Sequence, residues 1–268
     1  MRSEDGTGWV SALGKLFEVD ELRVFRGRDL QIAPKLRIRQ PTLGEIEGGD
    51  SGEGEESEKR FFSVVHTILA TPTDLMAQLD EKGLRYEEIS NYQLFMLLFP
   101  QIDKRDAGFL FGEGLDPADF IPTEVDNQPG RVVLGNAKDE IVIDEIGYRA
   151  IVNYICKFMN MEQTRFIKNG NEFTRMVRME LAYEEWEEAK RKPFSSPLKT
   201  LISTMTNMEG FKYGWYDVWD MKIGAFMDAV SRIQTIVSAR ALLNGCYSGN
   251  IDVSKIDKSQ LNYMKKLA

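Results

Sequence analysis

A single histidine and two cysteines in 268 residues leave few ways to assemble a reactive centre. A zinc site would have to rest on carboxylates alone, which is unusual. A serine-histidine-acid arrangement would have to use His66, and no Gly-x-Ser-x-Gly elbow offers the serine. His66 lies at the edge of an apolar helical stripe and reads as structural. Cys156 and Cys246 are far apart, each inside an apolar helical pattern, and read as buried free thiols. Long apolar runs are missing too. The segment 94–99 (LFMLLF) is among the longest, against the ~20 residues that span a bilayer. The first ten residues (MRSEDGTGWV) are polar and acidic where a secretory signal starts basic and turns apolar, so the expected location is the cytoplasm of the cell that makes the chain. Basic excess is lacking as well: the net charge of −8 argues against nucleic acid as a partner.

Glycine-rich phosphate loops are equally absent. Gly112-Glu113-Gly114 is followed by no third glycine and no lysine, so neither the dinucleotide nor the Walker pattern is met. Acids are plentiful, and Asp139, Glu140, Asp144 and Glu145 stand close in sequence, but an acidic protein supplies such groups without catalytic intent. A metal-dependent hydrolase built from acids alone is the remote enzymatic reading. The expectation is a non-enzymatic chain with no cofactor and no metal.

What is present is helix. An apolar share of 43% and a charged share of 28% describe a folded chain. Near the N-terminus, Leu22 and Val24, then Leu36 and Ile38, lie at spacing two around a turn-rich segment and predict a β-hairpin. Thr42 and Glu45 form a capping box. Residues 48–58 (GGDSGEGEESE) hold four glycines and five acids with no apolar residue and predict a solvated loop. Helical periodicity follows at 61–70, 73–83 and 92–99, the last capped by Ser90 and ended by Pro100. Asp116-Pro117 opens a single turn, and residues 132–134 and 141–143 predict a second small hairpin.

Asp144 caps a long helix to Met159, and Asn169-Gly170-Asn171 breaks the chain. Residues 172–191 begin apolar and become strongly charged, with Glu187–Arg191 and Glu188–Lys192 spaced as ion pairs; this predicts an exposed connecting helix. Ser196-Pro197 starts another, closed at Gly210. Residues 221–244 carry Ile223, Phe226, Val230, Ile233 and Val237 at spacings 3, 4, 3, 4, a seam for another helix of the chain or of a partner, with Gly245 as its stop and a last short helix at 258–266. The expected fold class is mainly α with small β-hairpins, a multi-helix α+β globular protein. It is divided into an N-terminal hairpin and acidic loop (1–60), a helical region with a small hairpin near 132–143 (61–192) and a C-terminal helical region (193–268). From Lys192 onward ten Lys or Arg face six Asp or Glu, so the excess of acid sits in the first 191 residues.

The most unusual stretch joins two helices. Phe211, Tyr213, Trp215, Tyr216 and Trp219 place five aromatics in nine residues. Such a cluster locks the junction into the core, presents rings to a partner, or does both. With only Lys212 among the rings, stacking on single-stranded nucleic acid is not expected. The protein-binding candidates are therefore these five aromatics together with the seam residues Ile223, Phe226, Val230, Ile233 and Val237.

Four segments taken together carry a resemblance: residues 36–46 (LRIRQPTLGEI), 71–89 (TPTDLMAQLDEKGLRYEEI), 141–155 (IVIDEIGYRAIVNYI) and above all 205–263. They resemble proteins encoded by tailed phages and prophages of Gram-positive bacteria, sited among tail genes and similar in that respect to tail assembly chaperones. The resemblance implies binding of the tape-measure protein, and of the tail tube protein as a second partner, in the cytoplasm of the bacterial host. It implies no catalytic residue, no nucleic acid and no membrane. A structural virion component of the tail or neck is the alternative it leaves open. The acidic segment 48–58 and residues 1–20 depart from the pattern.

Overall fold

A computed structural model describes residues 19–125, 130–166, 170–249, 252, 254 and 256–267. Among these it has ten α-helices and two small antiparallel sheets, a mainly α, α+β protein as the periodicity predicts.

Local chemistry sets most of the boundaries. The short helix α1 (Glu21–Phe25) is capped by the Asp20 carboxylate, which accepts from the Leu22 backbone at 2.9 Å. Leu22 and Val24 are therefore helical and do not belong to the hairpin, which is β1 (Leu30–Ala33) paired with β2 (Leu36–Ile38). Spacing two within one helical turn is ambiguous, and the aspartate decides it. Thr42 opens α2 (Leu43–Glu47) with the expected reciprocal box: its hydroxyl accepts from Glu45 N at 3.1 Å, and Glu45 accepts from Thr42 N at 2.7 Å. Helix α3 (Glu55–Leu69) begins inside the acidic segment, so that segment is not a solvated loop throughout. Ser57 and Glu58 are buried in it, and a glycine-rich turn remains only before Glu55.

Then come α4 (Met76–Glu81), α5 (Asn91–Leu98) with its Ser90–Gln93 box, and α6 (Lys104–Phe111) capped by Asp103. The strands β3 (Ile121–Glu124), β4 (Val132–Asn136) and β5 (Ile141–Ile143) make a three-stranded meander. The expected hairpin is thus extended by a strand, β3, whose residues are all exposed and show no alternation. Asp144 caps α7 (Glu145–Met159), and Asn160 closes it in the left-handed region at φ 52°. Asn171 caps α8 (Glu172–Arg191); Asn169 lies outside the described residues. Helix α9 (Pro197–Thr206) starts at Ser196-Pro197. Helix α10 (Ile223–Tyr247) runs through Gly245 instead of stopping at it, and the expected terminal helix is a single 3₁₀ turn, Lys258–Leu261.

One hydrophobic cluster joins α1, β2, α2, α3, α5, α6, the meander, α7, α9 and α10. Ile38, Phe61, Ile155 and Phe226 are all fully buried in it, so described residues from each of the three expected segments meet in this core. Helix α10 packs on α7 within it. The residues entering α2 and α10 are stitched together: Leu43 N donates to Met221 O and Ile223 N to Pro41 O, both at 2.9 Å. The Tyr92 hydroxyl donates to Ile143 O at 2.7 Å and accepts from Leu134 N at 3.3 Å, pinning α5 to the meander; burial pushes its pKa up to about 12. A small satellite cluster of Leu79, Tyr86 and Leu94 receives Met179 and is the seat of α8.

Candidate functional site

The aromatic segment lies between α9 and α10 as an irregular turn ending in the 3₁₀ helix Asp217–Asp220. Gly210 enters it at φ 93°, a left-handed conformation that glycine adopts without strain. Three residues form its base. Val218 is fully buried, Trp219 is half-buried against the core, and the Phe211 ring stands edge-on to the buried Phe226 ring at 6.4 Å and 84°. The other three rings face out. Tyr213 stacks obliquely on Phe211 (5.8 Å), Trp215 meets Trp219 edge-to-face (6.3 Å, 88°), and Tyr216 is 88% exposed. The cluster therefore locks the junction and presents rings at once, with Tyr213 and Trp215 braced by neighbours that the core holds.

The α10 seam divides differently. Ile223, Phe226 and Val230 are buried in the chain's own core, where α10 lies on α7, and Ile233 packs at its edge. These four are therefore core residues and not a free binding face. Only Val237, 47% exposed, remains on the surface. Heptad spacing specifies a helical neighbour and carries no information about which chain supplies it.

The sequence reading missed a second exposed apolar surface. Helix α8 has no buried residue, and Phe173, Met176, Val177 and Leu181 stand 40% or more exposed on its outer side. Its inner side is fixed: Arg175 Nε binds Glu87 at 3.0 Å, the Tyr183 hydroxyl donates to Asp80 at 3.0 Å, and Met179 packs on the satellite cluster. The expected Glu188–Lys192 pair forms at 2.6 Å, whereas Glu187 pairs with Lys190, at 2.7 Å, in place of Arg191. Apolar residues on both sides of the helix flatten its periodicity, which hid the outer face.

The residues weighed for chemistry are scattered. His66 is exposed on α3 beside the Phe62 ring. Cys156 and Cys246 are half-buried on α7 and α10, and burial pushes the Cys156 thiol up. Asp139 accepts from Asn136 at 3.0 Å, Asp144 caps α7, and Glu145 pairs with Arg149, so each of these acids serves the local fold. No group of three His, Cys, Asp or Glu among the described residues is placed to hold a metal ion. No helix among them is long and apolar enough to cross a membrane.

A charged cleft of about 690 Å³ is lined by Arg37, Arg39, Arg60 and Arg105 and the turn before α3. Glu53 lies between Arg60 and Arg105, binding both, and the two guanidiniums hold its carboxyl down at about 2. Compared with protein-family profiles, with curated proteins and with solved structures, the chain finds no match.

Proposed function

We propose that this chain is a non-enzymatic phage morphogenesis protein, a tail assembly chaperone that binds the tape-measure protein, and the tail tube protein second, while the tail is built in the host cytoplasm. The observation that carries the binding reading is the braced aromatic turn, in which Tyr213, Trp215 and Tyr216 face solvent over a base of Phe211, Val218 and Trp219. Tyr and Trp supply large contact area at low entropic cost, and rings held rigid before binding lose little on association. The phage context is supported by the resemblance in residues 36–46, 71–89, 141–155 and 205–263.

Co-expression with a phage tape-measure gene tests the proposal. The client is expected to be more soluble with the chain than without it, and Trp215→Ala with Tyr216→Ala is expected to remove that gain while leaving the chaperone folded. No gain in client solubility overturns the chaperone role. Mass spectrometry of purified particles separates it from a structural component of tail or neck: a chaperone is missing from the particle, and a structural protein is found there in fixed copy number.

A further inference from the structure

Helix α8 is the only α-helix among the described residues with no buried residue. It is twenty residues long and cannot turn its apolar side inward, because its opposite side is already held by Glu87, Asp80 and the satellite cluster. The outer side is an ordered stripe. Phe173, Met176, Val177, Glu180, Leu181, Glu184 and Glu188 recur at spacings of three, one and four, so they share one face of the helix, and every one is exposed. The stripe's N-terminal half is apolar and its C-terminal half acidic.

The acids on this stripe are arranged against the helix's own interest. Glu180, Glu184 and Glu188 form a column at spacing four, where like charges repel. Lys192 neutralises Glu188, but no cation stands against Glu180 or Glu184 among the described residues. From Phe173 to Glu188 the stripe spans about 22 Å at 1.5 Å per residue, the length of four helical turns. A partner helix with apolar residues at spacings of three and four and Lys or Arg beside them would cover the four apolar side chains and bring cations to the column. A second copy of α8 would bring more glutamates to it.

We propose that the outer face of α8 is a docking site for a basic amphipathic α-helix of a partner protein, with Phe173, Met176, Val177 and Leu181 as the apolar contact and Glu180 and Glu184 as the charge selectors. The site deepens the reading of the chain as a protein-binding chaperone and rests on it, but it is separate from the aromatic turn. The test uses the full chain and two synthetic helical peptides about as long as α8, sharing one leucine pattern and carrying lysines in one and glutamates in the other, with binding followed by fluorescence anisotropy. The lysine peptide is expected to bind saturably and more weakly as salt rises, with the glutamate peptide at least about tenfold weaker, a difference that electrostatic complementarity supplies.

Phe173→Ser with Leu181→Ser is expected to abolish binding, and Glu180→Lys with Glu184→Lys to reverse the preference. The lysine pair keeps every apolar contact, so it decides the matter even where the serine pair loses helix content. Equal binding of the two peptides, undiminished binding to the serine pair, or an unchanged preference in the lysine pair overturns the proposal. So does a chain that dimerises in sedimentation, is made monomeric by Leu181→Ser and takes up neither peptide, since the occupant is then a second copy. If Trp215→Ala with Tyr216→Ala removes client solubility while the α8 variants do not, the docking proposal fails and the chaperone reading stands; if co-expression shows no client at all while the lysine peptide binds as described, the reverse holds.

Discussion

At Gly224 the space admits a hydrogen and nothing larger. A β-carbon there would lie 2.3 Å from Gln40 Oε1 and 3.0 Å from the Phe158 β-carbon. Gln40 cannot swing away, because it is buried and its amide donates to Val24 O at 2.8 Å. Gly224→Ala is expected to cost about 1–3 kcal/mol through overpacking, despite alanine's better helix propensity. Gly108 in α6 is the control, since a β-carbon there would meet nothing within 4 Å. Gly108→Ala is expected to gain about 0.5–1 kcal/mol in the same urea titration. If both substitutions shift the midpoint the same way, the close approach at Gly224 is not what matters. Glu53 makes a second residue-scale prediction. Its carboxyl is lowered from 4.5 to about 2 by the hydrogen bonds from Arg105 and Arg60. A group with a lowered folded pKa contributes stability that is fully present above 4.5 and is lost as pH falls through about 2. The difference in melting temperature between the native chain and Glu53→Gln should therefore shrink steadily across that window, and a difference that stays constant there counts against the clamp.

Among the elements, α9 depends on a residue far away in sequence. Glu58 on α3 is buried, and its carboxylate accepts from the Leu198 backbone at 2.9 Å, while Ser196 accepts from Lys199 N at 2.9 Å. Together they satisfy two of the free amides at the helix start, where the dipole also favours a negative charge. Glu58→Ala leaves the Leu198 amide buried and unpaired and is expected to cost about 1–3 kcal/mol. Glu58→Gln, which keeps an acceptor oxygen, should recover most of it in the same denaturation series. Glu58 also marks the limit of what the sequence discloses. Helix starts at Ser90, Asp144 and Ser196 were legible because each cap binds an amide three residues on. Glu58 reads as one more acid in a polar run, because its partner lies 140 residues away. The aromatic turn was legible as a cluster, but which rings face out depends on Val218 and Phe226 beneath them. The α10 seam was legible as a helix contact and not as a contact with α7. Strand β3, exposed along its whole length, left no alternation to read.

Taken whole, the described residues form one large cluster and one small one, and the difference between them sets what should move. The large cluster draws on segments far apart in the described chain, from Val19 and Val24 to Phe226 and Val230, so no part of it can come apart without exposing the rest. Cross-links of long sequence separation tighten it: Lys222 Nζ donates to Gly27 O at 2.8 Å, and the Tyr154 hydroxyl to Arg28 O at 3.0 Å. Far-UV and near-UV circular dichroism should therefore report one coincident unfolding transition, as a single core requires. Helix α8 stands outside that core. It touches α4 and the satellite cluster, buries no residue and keeps its C-terminal turns in solvent. Its amides are expected to exchange through local opening while those of α7, a shorter helix but buried along one whole face, exchange only with global unfolding. A saturating basic helical peptide should slow exchange in α8 and leave α7 unchanged, because ligand binding stabilises the state it selects and α8 alone has stability to gain there. Equal protection of α7 and α8 in the free chain would mean that α8 is part of the core after all, and its apolar stripe would then need another explanation.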